Sequence, residues 1–417
     1  MYVIDGHTNP YLPHKYEIGK IGIHRKNADV RIISTFDWNM CCRLKVICKA
    51  HHMEVCMSKL RVGILGGTGM VGQRFVSLLE NHPWFEVAVV AASPRSAGKT
   101  YEEAVGNRWK MPTPMPEAVK NIIVMNVNDV EEVSSKVDFV FSAVDMTKDE
   151  IKAIEEAYAK AETPVVSNNS AHRWTPDVPM VIPELNPEHL ELIPYQKKRL
   201  GTEKGFIVVK PNCSIQSYTP ALYALKEFGP KLVVATTYQA ISGAGKNFAE
   251  WPEMIDNVIP FIGGEEEKSE QEPLKIFGKV VDGKLEKAAA PFITTQCIRV
   301  PVTDGHTAAI FVNFEKKPSK EEILKAWKEF KGLPQELDLP LAPKQFIQYL
   351  EEENRPQTRL DRDYEGGMGV SVGRLREDTV FDYKFVGLSH NTLRGAAGGG
   401  VLIAELLTAK NYITAKA

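Results

Sequence analysis

The chain has 417 residues, of which 25% are charged and 43% are hydrophobic, so we expect a globular protein with more than one domain. Lysine and arginine together number 51, and aspartate and glutamate together number 53, which leaves a net charge of −2. This balance gives no reason to expect a nucleic-acid partner. No apolar run reaches the roughly 18 residues of a membrane span, and no secretory signal opens the chain, so we expect a cytoplasmic protein without a membrane partner.

Residues 1–56 differ in composition from the rest of the chain. They hold most of the cysteines, and only Cys213 and Cys297 follow, so a chain-wide disulfide framework is excluded, as expected in a reducing compartment. One interpretation is a zinc site, although the paired Cys-x₂-Cys spacing is missing. Its ligands would be Cys41, Cys42, Cys48, His51, His52 and Cys56. The interpretation we favour, without a metal, is a non-catalytic extension or a misplaced translation start, with Met57 as the natural beginning.

From Met57 onward, short apolar strands alternate with helical patterns. This alternation predicts an α/β fold with a Rossmann-like, doubly wound parallel sheet over residues 57–210. Longer strands joined by short turns then predict an α+β domain with a mixed sheet over 211–388. A last helix is expected within 389–417. The acidic run that begins at Glu265 is predicted to be a solvated helix or loop.

The glycine pattern Gly67-x-Gly69-x-x-Gly72 lies between the strand Leu60–Leu65 and a helical pattern. In this context the glycines let the backbone approach a pyrophosphate, which then sits at the helix N-terminus. The alternative is a tight turn that binds no ligand. The loop residues predicted to contact the dinucleotide are Gly67, Thr68, Gly69, Met70 and Val71.

The second strand is followed by Ser93-Pro94-Arg95-Ser96 instead of the carboxylate that is typical of an NAD site. Hydroxyl groups and an arginine accept a 2′-phosphate, so Ser93, Arg95 and Ser96 predict NADP as the cofactor. The alternative for Arg95 is an ordinary surface arginine.

Cys213, in Pro211-Asn212-Cys213-Ser214, is the candidate nucleophile. It precedes a helix predicted over 218–228, whose dipole would favour the thiolate, whereas Cys297 lies within a strand and is expected to be structural. A thiolate needs a base, and His306, in a turn between strands, is the best candidate. Arg299 could clamp a substrate carboxylate. His82 is expected at the surface, and spacing does not exclude His172, His189 or His390 as the base.

Several motifs in this order resemble the aspartate-semialdehyde dehydrogenases, particularly their archaeal and fungal branch. The resemblance covers about 360 residues from Met57 and none of the first 56. The motifs are Gly66–Gly72, Ser93–Tyr101, Ser167–Trp174, Ile182–Asn186, Pro211–Ser214, Tyr238–Gly245, Arg299–Thr307, Val370–Arg374 and Asn391–Gly399.

The resemblance implies a role for each matching residue. Cys213 resembles the family nucleophile, His306 its acid–base histidine, and Gln239 the residue that orients the thiohemiacetal. Arg299 resembles the ligand of the substrate α-carboxylate and Glu265 the ligand of its amine. Lys268, Arg173 and Asn212 are similar to phosphate ligands. Ser242, Gly243 and Asn391 are similar to cofactor contacts, and the C-terminal helix is expected to return to the nucleotide-binding domain.

The implied activity is the NADPH-dependent reduction of L-aspartyl 4-phosphate to L-aspartate 4-semialdehyde and phosphate through a cysteine thioester. This step belongs to lysine, threonine, methionine and isoleucine biosynthesis. The enzymatic alternatives on the same scaffold are malonyl-CoA reductase and other acyl-CoA or acyl-phosphate reductases, such as N-acetyl-glutamyl-phosphate reductase. The non-enzymatic alternative is a nucleotide-binding regulator without catalytic activity. The resemblance also implies a homodimer or homotetramer that associates through the strand-rich domain.

Overall fold

The computed structural model describes residues 58–416. The predictions for residues 1–56, the zinc alternative included, lie outside this range. The strands of a first sheet come from the N-terminal half of the described chain. They are β1 (Leu60–Leu65), β2 (Phe85–Ala92), β3 (Met125–Asn126), β4 (Phe139–Ser142), β5 (Val165–Ser167) and β6 (Ile207–Val209).

All six strands of the first sheet are parallel and lie in the order β3-β2-β1-β4-β5-β6. The strands β4, β5 and β6 consist of fully buried residues, because helices cover both faces of the sheet. The order reverses between β1 and β4, and ligands of such sheets bind at the carboxyl ends of the strands beside this reversal. The predicted Rossmann-like, doubly wound sheet is confirmed.

The second sheet is mixed, as the sequence predicted, and has the strand order β10-β7-β11-β14-β13-β12. Strand β7 pairs in parallel with β10 and in antiparallel with β11. A two-stranded ribbon, β8-β9, lies apart. The bounds are β7 (Pro230–Gln239), β8 (Lys279–Val281), β9 (Lys284–Glu286), β10 (Phe292–Arg299), β11 (His306–Phe314), β12 (Ile347–Leu350), β13 (Val370–Glu377) and β14 (Tyr383–Ser389).

Helices of very different length connect these strands. Within the described range they are α1 (Met70–Leu79), α2 (Tyr101–Val105), α3 (Glu117–Lys120), α4 (Val130–Lys136), α5 (Lys148–Lys160), α6 (Ile193–Leu200), α7 (Thr219–Tyr223), α8 (Glu265–Ile276), α9 (Lys320–Glu329), α10 (Leu333–Glu336), α11 (Thr358–Asp361) and α12 (Ala397–Ala409). None of them is long and apolar enough to cross a membrane. The predicted solvated character of the acidic run is wrong for one face of α8, where Glu265, Ser269 and Glu272 are buried.

The last helix, α12, packs on the first sheet, which agrees with the return that the family resemblance implies. Its residues from Ala397 to Leu407 are buried, and they share a core with Phe75 of α1 and Phe141 of β4. The close contact between α12 and α1 depends on Gly400, because a Cβ there would lie 3.0 Å from the Phe75 ring. The other core extends from the first sheet to the second sheet. The predicted domain boundaries at residues 210 and 388 stay predictions.

His82 does not lie at the surface, where the sequence analysis expected it. It is buried, and its Nε2 lies 2.8 Å from Oε1 of Glu405 on α12. The expectation failed because the partner is 323 residues away in the chain.

Candidate active site

A cavity of about 360 Å³ lies where the carboxyl ends of the first sheet face the second sheet. Twelve predicted site residues line it, from all parts of the described chain. They are Met70, Val71, Arg173, Asn212, Cys213, Gln239, Ser242, Gly243, Glu265, Lys268, Arg299 and Asn391. The tertiary structure therefore brings the expected nucleophile, substrate ligands and part of the cofactor loop to one place.

Ten further residues line the cavity without having been given a role from the sequence. Five of them are Arg74, Asn168, Asn169, Ser170 and Lys210. Each has a weak sequence signal, because Arg74 follows the glycine loop, the next three directly follow β5, and Lys210 directly follows β6. The carboxyl ends of parallel strands are the usual place for ligand contacts, so this position alone could have identified four of the five residues.

The loop Lys210-Pro211-Asn212 carries the chain from β6 to Cys213. The Oδ1 atom of Asn212 accepts hydrogen bonds from the main-chain N–H of Ser214 at 2.7 Å and from its hydroxyl at 2.6 Å. These bonds fix the turn that presents Cys213 to the cavity.

The predicted long helix after Cys213 is broken into short pieces. A 3₁₀ turn covers Ser214–Ser217, α7 has five residues, and a second 3₁₀ turn covers Lys226–Phe228. Such short helices have weak dipoles, so the expected thiolate stabilisation from a helix is not available. Burial instead raises the pKa of the Cys213 thiol, and the negative charge of Glu265 raises it further. The positive charges of Lys210, Arg173 and Arg299 act in the opposite direction.

His306 is the first residue of β11, and its Nε2 lies 3.4 Å from the Sγ of Cys213. Its Nδ1 accepts a hydrogen bond of 3.0 Å from the main-chain N–H of Ala240. A backbone N–H can only donate, so the neutral ring carries its proton on Nε2 and directs it toward the sulfur. Burial, followed by the charge of Arg299, lowers the pKa of His306 to about 3. The ring is therefore neutral near pH 7.

Glu265, at the start of α8, contacts three other predicted site residues. Its carboxylate accepts hydrogen bonds from Nδ2 of Asn212 at 3.0 Å, Nε2 of Gln239 at 3.2 Å and Nζ of Lys268 at 2.8 Å. Burial alone would raise the pKa of Glu265, but these donors outweigh it and lower the pKa overall. The site thus holds an ionised carboxylate that is suited to an ammonium group.

Glu272 lies about two turns along the same face of α8 as Glu265, and it was not identified from the sequence. One carboxylate oxygen accepts a hydrogen bond of 2.9 Å from Nη1 of Arg173, and the other accepts one of 2.6 Å from the main-chain N–H of Asn212. The side chain is completely buried. Glu272 therefore ties the predicted phosphate-binding arginine to the loop that carries the nucleophile.

Arg299 ends β10, and its Nη1 donates a hydrogen bond of 2.6 Å to the main-chain oxygen of Ala240. Ala240 thus contacts both Arg299 and His306 through its main chain. Gly243 lies against the same two side chains, because a Cβ there would be 3.0 Å from Nη1 of Arg299 and 3.1 Å from Cε1 of His306. A larger residue at this position would narrow the site.

The glycine loop has the close approaches expected of a nucleotide-binding turn. A Cβ on Gly67 would lie 2.4 Å from Cγ1 of Val90, and one on Gly72 would lie 2.4 Å from the oxygen of Gly66. The N-terminus of α1 follows, and two residues that line the cavity beyond it, Arg74 and Asn168, each have a buried polar atom (Nε and Oδ1) without a partner among residues 58–416. A dinucleotide that runs from the glycine loop into the cavity would pass both residues.

The other predicted cofactor residues lie in two groups, one after β2 and one near Cys213. Arg95 is exposed directly after β2, in a turn closed by a hydrogen bond of 2.9 Å from the Ser96 N–H to the Ser93 oxygen. In the second group, Nδ2 of Asn391 donates to the Ser242 hydroxyl at 2.8 Å, and Oδ1 of Asn391 accepts from the Gly305 N–H at 2.8 Å. Gly67, Thr68, Gly69, Ser93, Arg95 and Ser96 do not line the 360 Å³ cavity itself.

The remaining histidines and the second cysteine lie elsewhere. His172, His189 and His390 are buried and do not line the cavity. Cys297 is completely buried, and its sulfur lies 3.6 Å from the hydroxyl of Ser269. Among residues 58–416, His306 is thus the histidine that reaches the nucleophile.

Two family models match the chain. The model for the semialdehyde dehydrogenase NAD-binding domain covers residues 61–193, and the model for the semialdehyde dehydrogenase dimerisation domain covers residues 221–394. Aspartate-semialdehyde dehydrogenase of Methanothermobacter thermautotrophicus is 45% identical over 351 residues, which are 84% of this chain and 99% of that relative. The Saccharomyces cerevisiae enzyme is 44% identical over 367 residues, which are 84% and 98% of the two chains.

Solved structures give the same result. Aspartate-semialdehyde dehydrogenase of Candida albicans with NADP matches with a TM-score of 0.75 and 40% identity, over 85% of this chain and 100% of that chain. Aspartate-semialdehyde dehydrogenase II of Vibrio cholerae, complexed with ASA, matches with a TM-score of 0.66 and 25% identity. The latter comparison covers 84% of this chain and 99% of that chain.

Proposed function

The chain belongs to the aspartate-semialdehyde dehydrogenase family, and we propose that Cys213 is the nucleophile through which it carries out the family reaction. The reaction is the NADPH-dependent reduction of L-aspartyl 4-phosphate to L-aspartate 4-semialdehyde and phosphate, a step of amino-acid biosynthesis. One observation carries this proposal: the sulfur of Cys213 and the Nε2 of His306 meet at 3.4 Å beside a cavity that also contains the charged substrate ligands.

The first step is acyl transfer to Cys213. The thiolate attacks the acyl carbon, a carbon–sulfur bond forms, and the bond from that carbon to the phosphate oxygen breaks with departure of phosphate. The Nε2–H of His306 stabilises the thiolate by donating a hydrogen bond to it. Covalent catalysis divides a difficult reduction into two easier steps.

The second step releases the aldehyde. Bound NADPH would supply the hydride that reduces the thioester carbon. Cys213 then leaves as a thiolate when the carbon–sulfur bond breaks, which restores the starting state of the residue. Gln239 lies beside the reacting centre, and the Thr237 hydroxyl donates to its Oε1 at 3.0 Å, so its amide N–H is held toward Glu265 and the cavity. The acid–base role expected for His306 stays a prediction.

The charges of the site side chains indicate which substrate group each of them binds. Among residues 58–416, Arg299 donates to the main-chain oxygen of Ala240 and has donors left for the α-carboxylate, and the ionised Glu265 suits the α-ammonium. Arg173, Lys268 and Asn212 would hold the phosphate. This set favours an amino-acid substrate over malonyl-CoA, which has no ammonium group for Glu265 to bind.

The protein also fits NADP, for which we propose one binding path. The pyrophosphate would lie on the glycine loop Gly67–Val71 at the N-terminus of α1, where a Cβ on Gly69 would lie 3.5 Å from the Gly66 oxygen. Ser93, Arg95 and Ser96 would bind the 2′-phosphate. Ser242, Gly243 and Asn391 would contact the nicotinamide end near Cys213.

The second sheet offers a surface for association. Leu232, on β7, and its neighbour Phe292, on β10, are 39% and 66% exposed. Exposed apolar side chains on adjacent strands favour burial against another subunit. We propose a homodimer or homotetramer in the cytoplasm, which is consistent with the match to a dimerisation domain and with the free thiols of Cys213 and Cys297.

Phosphate-dependent reduction of NADP⁺ with L-aspartate 4-semialdehyde tests the proposed function. We expect turnover that requires phosphate and that disappears when the aldehyde is omitted. Turnover with CoA in place of phosphate would support the acyl-CoA reductase alternative. Binding of NADP without turnover on any of these substrates would support the regulator alternative.

A further inference from the structure

Lys210 is a buried lysine at the active site to which neither the motifs nor the proposed mechanism gives a role. It directly follows β6, its side chain is 2% exposed, and it lines the cavity together with Cys213 and Arg173. Among residues 58–416 its hydrogen-bond partner is the main-chain oxygen of Pro211. An ammonium group has three donors, so two remain for a ligand in the cavity.

Two of the other cations of the site differ from Lys210 because a carboxylate already pairs with each of them. Arg173 pairs with Glu272 at 2.9 Å, and Lys268 pairs with Glu265 at 2.8 Å. Within the described part of the chain, Lys210, Arg74 and Arg299 are the cavity-lining cations that lack such a pair. Arg74 follows the glycine loop of the cofactor, and Arg299 is assigned to the substrate carboxylate, which leaves the positive charge of Lys210 without a partner.

The fold makes specific room for this side chain. Gly399 lies in α12, and a Cβ there would be 3.1 Å from Cδ of Lys210. The stem of the lysine is thus packed against the helix backbone, and the ammonium group donates to the Pro211 oxygen in the loop that carries the nucleophile. Burying a cation without a carboxylate is costly, so its position is best explained by an anion that binds during the reaction.

We propose that Lys210 is an anion-binding residue of the active site, whose ammonium group stabilises negative charge at the reacting centre beside Cys213. The anions that arise there are the Cys213 thiolate and the phosphoryl group that the thiolate displaces. This inference rests on the proposed nucleophilic role of Cys213, and it adds a residue to the phosphate ligands that the family resemblance implies.

The pKa of Lys210 agrees with the anion-binding role that its contacts indicate. Burial lowers the pKa of Lys210 to about 7, and the charges of Arg173 and Arg394 also lower it, whereas Cys213 and Glu272 raise it. Lys210 is therefore protonated below about pH 7 and neutral above it in the free protein. A bound anion would favour the protonated form, so binding takes up a proton near neutral pH.

Alkylation of Cys213 tests the inference with two probes of similar shape and different charge. Iodoacetate is an anion and iodoacetamide is neutral, so the ratio of their alkylation rates, iodoacetate over iodoacetamide, reports the positive charge near the sulfur. The ionised fraction of the thiol affects both rates equally and cancels from this ratio. We expect Lys210→Met in the full chain to lower this ratio by about three- to tenfold, as estimated for one partly screened charge near the sulfur. Lys275→Met is the matched control, because Lys275 is also buried and bonded to a main-chain oxygen but does not line the cavity.

The wild-type protein provides a second measurement that needs no variant. Its ratio should fall as the pH rises from about 6 to 8, because Lys210 loses its proton over this range while His306 stays neutral. A ratio that is independent of pH, or one that Lys210→Met leaves unchanged, would overturn the inference. Failure of either probe to label Cys213, read by peptide mass spectrometry, would instead contradict the nucleophile assignment.

Discussion

The Nε2 of His306 lies 3.4 Å from the Sγ of Cys213, although 93 residues separate them in the chain. The two side chains come from different structural units, because Cys213 follows the last strand of the parallel sheet and His306 begins a strand of the mixed sheet. The reactive pair therefore exists only when both sheets are folded and packed on each other.

Replacement of the nucleophile should remove the covalent step. We expect Cys213→Ser to lower kcat at least about a thousandfold while NADP still binds, because a hydroxyl is a far poorer nucleophile than a thiolate. Intact-mass spectrometry after a pulse of substrate should show an acyl adduct in the wild type and none in the variant. Cys297→Ser is the matched control and should keep its activity, because Cys297 is buried away from the cavity. Full activity of Cys213→Ser would contradict the mechanism.

Cofactor choice should depend on Arg95. Charge-assisted hydrogen bonds contribute roughly 1.5–3 kcal/mol each, so Arg95→Ala should weaken NADP binding by about 10- to 100-fold. NAD binding should change little, since NAD has no phosphate at that position. Dissociation constants for both cofactors in wild type and variant measure this difference, with the nearby exposed Lys99→Ala as a control. Equal losses for NADP and NAD would mean that Arg95 supports the loop instead of binding the phosphate.

Glu272 should act as a positioning residue. Glu272→Gln removes the negative charge and one of the two acceptors that hold Arg173 and the Asn212 N–H. Each lost buried hydrogen bond costs about 1–3 kcal/mol, and we expect at least a tenfold loss in kcat because the nucleophile loop loses an anchor. Glu267→Gln is the matched control, because Glu267 lies on the exposed side of the same helix. The idea is wrong if both variants have wild-type kcat and KM.

Stability should fall in acid because several buried histidines stay neutral in the folded state. Burial lowers the pKa of His189 and His390 to about 4 and that of His306 to about 3. Below about pH 6.5 the unfolded chain binds protons at these positions that the folded protein does not bind, so stability decreases as the pH falls. Each such histidine contributes up to about 1.4 kcal/mol per pH unit in this range.

Urea unfolding at about pH 5 and pH 7 measures this dependence. His306→Asn should reduce the slope of the unfolding free energy against pH by the equivalent of up to one proton, whatever its effect on stability at pH 7. An identical pH slope in the variant and the wild type would show that His306 does not keep a lowered pKa in the folded protein.

A shortened chain tests the predicted extension. We expect a protein that begins at Met57 to fold and to keep its activity, because residues 58–416 contain both sheets and every residue of the site, and β1 begins at Leu60. Circular dichroism, unfolding and the NADP⁺ assay compare it with the full chain. Insoluble or inactive protein would show that residues 1–56 have a structural role.

The sequence alone was sufficient for the parts of the fold that depend on local pattern. Short apolar strands, the glycine turn and their alternation with helices predicted the parallel sheet, whereas the roles of Cys213, His306 and Arg299 stay predictions. The prediction of the sheet succeeds because strand burial and tight turns require particular residue types at fixed spacing.

Only the tertiary structure decided the environment of those residues. Glu272 and Lys210 carry no motif of their own, and their importance arises from partners or cavity walls that distant segments supply. The pKa of Cys213 is raised by burial, whereas the sequence suggested that a helix would lower it, because burial depends on the whole surrounding fold and the helix proved to be short. Local sequence specifies which groups are present, but solvent exclusion and charge neighbours, which set their chemistry, are properties of the packed chain.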